Sequence, residues 1–130
     1  MLPVYLPGKE KDTDLEFFET LFRSIWARIV PILGILNVKT MLEHALEEGR
    51  SHHPVLNHVR IREDGVRLVL LKQAVSAKKV SKEEVQEGLR DFLTSLVHLL
   101  ARLSGDIVST QVREVIEHAR QKRKIKEKLL

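Results

Sequence analysis

The chain has 130 residues, including six His and no Cys, and its 22 Lys or Arg against 18 Asp or Glu give a formal net charge of +4. This length predicts one domain, and the missing thiols exclude disulfides, thiolate metal sites and cysteine nucleophiles. The most apolar stretch, residues 25–38, is too short to span a bilayer and contains Arg28 and Pro31. We therefore expect a cytoplasmic protein with no membrane span and no signal peptide.

Positive charge is concentrated at the C-terminus. Residues 120–130 carry six Lys or Arg against one Glu, so residues 1–119 sum to −1. We expect a flexible N-terminal arm over residues 1–12, a single helical domain over residues 13–119 and a basic tail over residues 120–130. Any electrostatic partner, whether a nucleic acid, an anionic membrane or an acidic protein, would contact the tail.

The first predicted helix begins at Thr13, which stands three residues before Glu16 in the spacing of a capping box. Apolar residues then recur at steps of three and four, the period of a helix with one buried face: Leu15, Phe18, Phe22, Ile25 and Ile29. A second apolar row widens this face: Phe17, Leu21, Trp26 and Val30. Two interpretations stay open, since the helix is either wedged between two others or uses part of this face as a homodimer interface.

Pro31 and Gly34 predict that the first helix kinks or ends between them. Asn37 is then expected to cap a second helix over residues 38–48. Gly49 is expected to end that helix, because glycine is common just after a helix C-terminus.

Residues 59–63 and 66–71 are β-rich runs separated by Asp64-Gly65, a pair typical of a two-residue hairpin turn. An isolated hairpin is only marginally stable, so one face is expected to lie against the helices or to pair with a second copy. The alternative is a helix that starts after Gly65 and buries the following residues: Val66, Val69, Leu70 and Ala74.

The most strongly specified element is a helix over residues 81–105. Ser81 and Glu84 have capping-box spacing, and Gly105 is a suitable stop. Apolar residues form a wide stripe between them: Val85, Leu89, Phe92, Leu93, Leu96, Val97, Leu99, Leu100 and Leu103. The C-terminal half of this helix is the predicted centre of the core, packed against the aromatic first helix.

A fourth helix is expected after Gly105, capped by Asp106 or Ser109 and continuing into the basic tail. Its apolar stripe is narrower: Val108, Val112, Val115, Ile116 and Ala119. The predicted fold class is therefore mainly α, a domain like a four-helix bundle with a short β-hairpin between helices 2 and 3.

Histidines are the first candidates for chemistry. His52, His53 and His58 lie in a predicted polar loop over residues 50–58, and His44 lies on the preceding helix. Their spacing matches no standard set of metal ligands. We expect no metal and no cofactor, and the role of the histidines at 52–58 stays open.

Phosphotransfer through a helical histidine is a further hypothesis. His98 lies on the third predicted helix, and His118 lies on the fourth, near Arg113 and Lys122. Phosphotransfer domains carry a lysine and a glycine soon after the histidine, whereas leucines follow His98. A structural histidine explains the same residue, so phosphotransfer is the third of three functional hypotheses.

DNA binding is the second hypothesis. The run ARLSGDIVSTQVREVI resembles a helix-turn-helix of the lactose-repressor type, although Asp106 and Ile107 lengthen its turn. If residues 98–117 form this motif, four side chains would face base edges: Ser109, Thr110, Gln111 and Arg113. Three cations would then contact phosphates: Lys122, Arg123 and Lys124.

The order of features over residues 15–117 resembles helical accessory or sensory modules of bacterial and archaeal signalling proteins. An aromatic-rich helix is followed by GILNVKTMLEHAL, by HPVLNHVRIREDGV and by a capped long helix ending in LSG. The resemblance implies a regulatory or partner-binding module without catalysis.

The first hypothesis is accordingly a non-catalytic signalling module, homodimeric, that binds a protein partner through an apolar helix surface and the basic tail. No nucleophile elbow or phosphate loop is present in the sequence, so we expect no enzymatic activity. The predicted contact residues are aromatic anchors of the first helix and cations of the tail: Phe18, Phe22, Trp26, Arg120, Lys122, Arg123, Lys124, Lys126 and Lys128.

Overall fold

The computed structural model describes the backbone of residues 13–129, with the side chains of that range except those of residues 13, 14, 104, 107, 109 and 124–129. The elements are α1 (Thr13–Leu33), α2 (Ile35–Arg50), a 3-10 helix (Pro54–His58), β1 (Arg60–Arg62), β2 (Gly65–Arg67), α3 (Val69–Ser76) and α4 (Lys82–Leu129). The predicted fold class is confirmed, since the protein is mainly helical with a short antiparallel hairpin between α2 and α3. The predicted N-terminal arm and the side chain of Thr13 lie outside the described residues.

The start of α4 follows the sequence prediction closely. The Ser81 Oγ accepts a hydrogen bond from the Glu84 backbone N–H at 3.1 Å, and the Glu84 carboxylate accepts one from the Ser81 N–H at 3.2 Å. This reciprocal pair is the predicted capping box. The apolar stripe that follows is buried, with Leu96 and Leu100 both 0% exposed. Leu103 is the exception at 63% exposed, because it lies in the last turn before the chain changes direction.

Both apolar rows of α1 pack within the chain. Phe18, Phe22, Ile25 and Ile29 belong to the core, and the rings of Phe22 and Phe92 stack at a centroid distance of 5.1 Å. Phe17, Trp26 and Val30 are partly buried against the same core, while Leu21 is fully buried. Within the described residues, α1 is therefore wedged between other elements, as the first of the two interpretations states.

The two ends of α2 correct the predictions for Asn37 and Gly49. Gly34, with a φ of 86°, ends α1, and α2 already begins at Ile35. Asn37 does not cap α2; its side-chain amide instead donates to the Leu33 carbonyl at 2.8 Å, at the end of α1. Gly49 lies inside α2, where a Cβ atom would come within 2.6 Å of Leu56 Cδ1. Close packing, and not helix termination, accounts for that glycine.

The segment between α2 and α3 departs from the sequence prediction in three ways. Part of the predicted polar loop is a 3-10 helix, which buries Val55 and Leu56. Arg62 pairs with Gly65, so the turn residues are Glu63 and Asp64, one position earlier than expected. The second strand is short, and α3 follows it after one residue. Gly65 has a φ of 123°, a conformation that favours glycine, and it lies against the Trp26 ring.

The hairpin and helix interpretations of residues 59–76 are therefore each partly correct. The helix interpretation is right for Ala74, which is buried, and wrong for Val69 and Leu70, which are 54% and 40% exposed. It missed Leu71, which is fully buried. Two contacts tie this region to the helices, from Lys39 to Glu63 and from Lys72 to Glu19.

The chain turns sharply within α4 at Gly105, whose φ of 77° and ψ of −175° are non-helical. His98 and Arg113 line one cleft, although they would lie about 22 Å apart along a straight helix. Gly105 thus divides α4 into a first half, residues 82–104, and a second half, residues 106–129. The predicted interruption at Gly105 and the predicted continuation into the basic tail are confirmed. The second half buries a narrow apolar stripe: Val108, Val112, Val115 and Ile116.

Candidate interaction surface

A groove of about 800 Å³ runs along the surface between α1 and the second half of α4. Its floor is largely apolar, formed by the buried Val115 and the half-buried Phe17 and Ala119. We name this feature the α1–α4 groove. Its volume lies within the range of about 300–1,000 Å³ that is typical of ligand sites.

The groove exists because short side chains line one wall. Thr20, Ser24 and Ala27 are spaced by four and three residues, so they share one face of α1. All three are exposed, and none reaches far toward Ala119 on the opposite helix. This row of small residues is visible in the sequence, but the periodicity of apolar residues does not reveal it.

Longer side chains bridge the two helices toward each end of the groove. The Arg28 guanidinium donates to the Gln111 side-chain carbonyl at 2.7 Å and lies 3.9 Å from the Glu114 carboxylate. At the other end, Arg123 lies over the Phe17 ring at 5.1 Å from its centroid, a distance typical of a cation–π contact. These contacts connect the two helices near the ends of the groove, and both helices line it.

The two ends of the groove differ in charge. At one end, Arg28 and Glu114 offset each other. At the other, Lys122 and Arg123 line the groove, with Glu16 as the one acidic lining residue there among the described side chains. The same end leads into residues 120–130, whose sequence has a net charge of +5. The groove therefore combines an apolar floor with a strongly basic end.

The predicted partner-binding residues are distributed unevenly. Lys122 and Arg123 lie at the groove, and Arg120 pairs with Glu117 at 3.1 Å. Phe18 and Phe22, only 2% and 3% exposed, contact the chain's own core. Trp26 is half-buried against the hairpin. A partner could use Phe18 and Phe22 only after α1 had left that core. The side chains of Lys124, Lys126 and Lys128 are outside the described set.

The two candidate phosphotransfer histidines occupy different sites. His98 is exposed and lines a cleft of about 540 Å³ between the halves of α4, together with Arg102 and Arg113. His118 is also exposed and lines the α1–α4 groove. Phosphotransfer through either residue stays a prediction.

The residues of the DNA-binding hypothesis do not share one free surface. Thr110 is exposed, but the Gln111 carbonyl accepts the hydrogen bond from Arg28. Asp106 and Glu114 line the same shallow depression as Thr110 and Gln111, and their carboxylates would repel a phosphate backbone. Arg113 lines the cleft beside His98 instead. The side chain of Ser109 is not described, and DNA binding stays a prediction.

The histidine-rich loop has a structural contact. His53 Nε2 lies 2.5 Å from Asp91 Oδ2 on α4, which links the loop to the first half of that helix. Among the residues whose side chains are described, no group of three or more His, Cys, Asp or Glu is placed to hold a metal ion.

No helix in the described part of the chain is both long enough and apolar enough to cross a membrane. The sequence matches no protein-family model, and neither a curated protein nor a solved structure is similar to it at a significant level.

Proposed function

We propose that this protein is a non-catalytic interaction module that binds an amphipathic helix of a protein partner in the α1–α4 groove. The observation that carries the proposal is the groove itself, with an apolar floor between two helices and a basic end. Amphipathic helices bind such grooves by placing residues i, i+3 or i+4, and i+7 on the apolar floor.

Charge specifies the partner further. Lys122, Arg123 and the tail that follows them favour acidic residues at the end of the ligand helix that reaches residues 120–130. Such steering raises association rates and selects the orientation of the bound helix more than it raises affinity. The proposed ligand is therefore apolar along one face and acidic toward one end.

The corner between α1 and α2 of a second copy fits the groove less well than an acidic helix does. The exposed apolar residues nearest the turn between α1 and α2 are Ile32, Ile35 and Leu36, at 49%, 49% and 76% exposure. Residues 32–42 contain no Asp or Glu, so this corner lacks the charge that would complement the basic end. The homodimer predicted from the sequence is accordingly one outcome of the test below.

The proposed role is regulatory, as the resemblance to signalling modules implies, and the proposed compartment is the cytoplasm. In this role the protein would have two states, one with the partner helix bound in the groove and one with the groove empty. Duplex DNA is the competing ligand for the basic tail.

The test uses two fluorescent peptides of equal length with the same leucine face, one with Glu and one with Lys at its polar positions. Fluorescence anisotropy would measure binding to the full chain. We expect the acidic peptide to bind more tightly, and its affinity to fall as salt rises. Ser24→Trp should weaken binding by about ten-fold or more because the indole fills the groove and excludes the anchor side chains.

Lys122→Glu tests whether positive charge at the basic end of the groove contributes to peptide binding. It should weaken binding of the acidic peptide and strengthen binding of the basic one, whereas Arg62→Glu on the exposed hairpin is the matched control and should change neither. Equal binding of both peptides, or no effect of Ser24→Trp, would contradict the proposal. Light scattering would reveal a homodimer as a doubling of the 15.0 kDa mass, and loss of the dimer in Ser24→Trp would assign the groove to a second copy instead.

A further inference from the structure

The cleft between the two halves of α4 has a composition unlike that of the α1–α4 groove. Ser95, His98 and Arg102 line it from the first half, and Arg113 lines it from the second. Leu99 and Ala101 add apolar surface, and Glu48 contributes from α2. Hydrogen-bond donors thus converge on one cleft from both sides of the turn.

Helical spacing and the turn at Gly105 create this convergence. Ser95, His98 and Arg102 follow at steps of three and four, so they share one face of the first half. Arg113 is brought to the same cleft only because the chain turns at Gly105. Neither half alone contains the donor set.

The donors suit a phosphate group. Arginine stays protonated throughout the physiological pH range and presents five N–H donors in a planar fork that matches phosphate oxygens. Arg113 has an intramolecular contact, but a guanidinium that makes one contact still has further donors to offer. A serine hydroxyl and a histidine ring nitrogen are also common donors to oxyanions.

The charges in the cleft are predominantly positive. Arg102 and Arg113 face one carboxylate, that of Glu48, among the described lining residues, and all three side chains are exposed. With Glu48 included, these three side chains sum to +1, so the cleft favours an anion. The oxygens of one phosphate group can accept hydrogen bonds from two guanidinium groups at once.

We propose that this cleft is a binding site for phosphate, either free or as the phosphoryl group of a small molecule. Arg102 and Arg113 hold the phosphate from opposite halves of α4, and Ser95 and His98 donate further hydrogen bonds. The volume of about 540 Å³ accommodates a ligand larger than phosphate alone. The site is separate from the α1–α4 groove and does not depend on the function proposed for that groove.

The first experiment is a titration of the full chain with inorganic phosphate at constant ionic strength, followed by ¹H–¹⁵N NMR. We expect saturable shifts in the amides of residues 95–102 and near Arg113. Arg102→Gln and Arg113→Gln should each weaken binding about ten-fold, the usual effect of losing a charge-assisted hydrogen bond. Arg62→Gln, an exposed arginine on the hairpin, is the matched control and should bind phosphate as the unmodified chain does.

A further variant distinguishes a direct effect on phosphate binding from an effect on folding. Glu48→Gln takes a negative charge out of the cleft and should tighten phosphate binding by about three-fold, since exposed charge pairs are worth a fraction of a kcal/mol. A folding defect would not produce tighter binding. Acetate at matched ionic strength should bind much more weakly than phosphate, and a phosphate monoester such as glycerol phosphate should bind at least as well.

Three results would overturn the proposal: shifts that do not saturate, equal weakening by Arg62→Gln, or equal binding of acetate. Binding of inorganic phosphate with exclusion of the monoester would retain the site and restrict its ligand to the free ion.

Discussion

The two halves of α4 have almost the same length and very different surroundings. The first half is covered on several sides, and six of its apolar side chains are 0% exposed: Leu89, Phe92, Leu93, Leu96, Val97 and Leu100. Among the described side chains of the second half, four are buried in a single narrow stripe. Both the α1–α4 groove and the cleft proposed to bind phosphate border this half. The first half contributes more side chains to the core, whereas the second half borders the surfaces on which function is proposed.

This difference has a physical basis. Exposing a wide apolar stripe to water costs free energy. The fold is therefore stable only when neighbouring elements cover that stripe on several sides. A narrow stripe needs only one partner helix and leaves the other faces open to ligands. Closely packed elements also resist rearrangement more than loosely packed ones do, so binding is expected to move the second half more than the first.

The largest expected effect comes from deleting equal side-chain volumes in the two halves. Leu96→Ala should lower the free energy of unfolding by about 4 kcal/mol and Ile116→Ala by about 2 kcal/mol, the upper and lower parts of the range for such substitutions. The second half borders open grooves, so its surroundings relax more easily around the cavity. Urea unfolding measures both values. Equal losses would show that the two halves are packed equally well.

The next effect concerns the turn that separates the halves. The φ and ψ of Gly105 lie in a region that is accessible almost only to glycine, so Gly105→Ala should destabilise the fold by about 2 kcal/mol. Thr110→Ala, at an exposed helical position nearby, is the control and should be close to neutral. An unchanged urea midpoint for Gly105→Ala would mean that α4 tolerates another geometry there, and the phosphate cleft would then be expected to open.

A smaller effect tests how far the first half depends on its local start signal. Ser81→Ala removes the side-chain acceptor of the capping box and should reduce the free energy of unfolding by about 1 kcal/mol. Ser81→Asp keeps an acceptor and should restore most of the loss. If Ser81→Ala were neutral, tertiary packing alone would determine where α4 begins.

The smallest expected effect on stability is at an exposed ion pair outside α4. It shows how little an exposed contact contributes compared with the buried residues of α4. Lys39 Nζ lies 3.0 Å from Glu63 Oε1, and this contact holds the pKa of Glu63 below its ordinary value of 4.5. Because the pKa is lowered in the folded state, the stabilisation is complete above pH 4.5 and is lost as the pH falls through the lowered pKa.

Lys39→Met should therefore lower the urea midpoint slightly at neutral pH, and the difference from the unmodified chain should shrink on acidification. In a Glu63→Gln background the same substitution should show no such pH dependence. A pH-independent difference would assign the contribution of Lys39 to packing of its aliphatic stem.

Local signals explain which parts of the fold were predictable. The capping box at Ser81, the stripe from Val85 to Leu100 and the interruption at Gly105 each depend on residues within one or two turns, and all three are confirmed. Two of the errors occur where packing between elements decides. Gly49 packs closely against Leu56 of the 3-10 helix, and α3 buries Leu71 in the core.

The candidate sites were only partly predictable for the same reason. Lys122, Arg123, His98 and Arg113 were singled out from the sequence, but their grouping was not. The helix-turn-helix interpretation placed Arg113 beside Gln111, whereas the structure places it across a cleft from His98 and places Gln111 against Arg28. The apolar residues of α1 were identified, yet their burial in the chain's own core depended on what else packed around them.

The sequence by itself therefore determined the helical class, the cap and stripe of the central helix, the turn at Gly105 and the basic C-terminus. These features follow from periodicity, capping chemistry and composition, which act over a few residues. Tertiary structure alone decided which faces of α1 and α4 meet, and hence where a groove and a cleft remain. Those outcomes depend on side-chain volumes brought together from distant positions, and no local pattern encodes the space that is left between them.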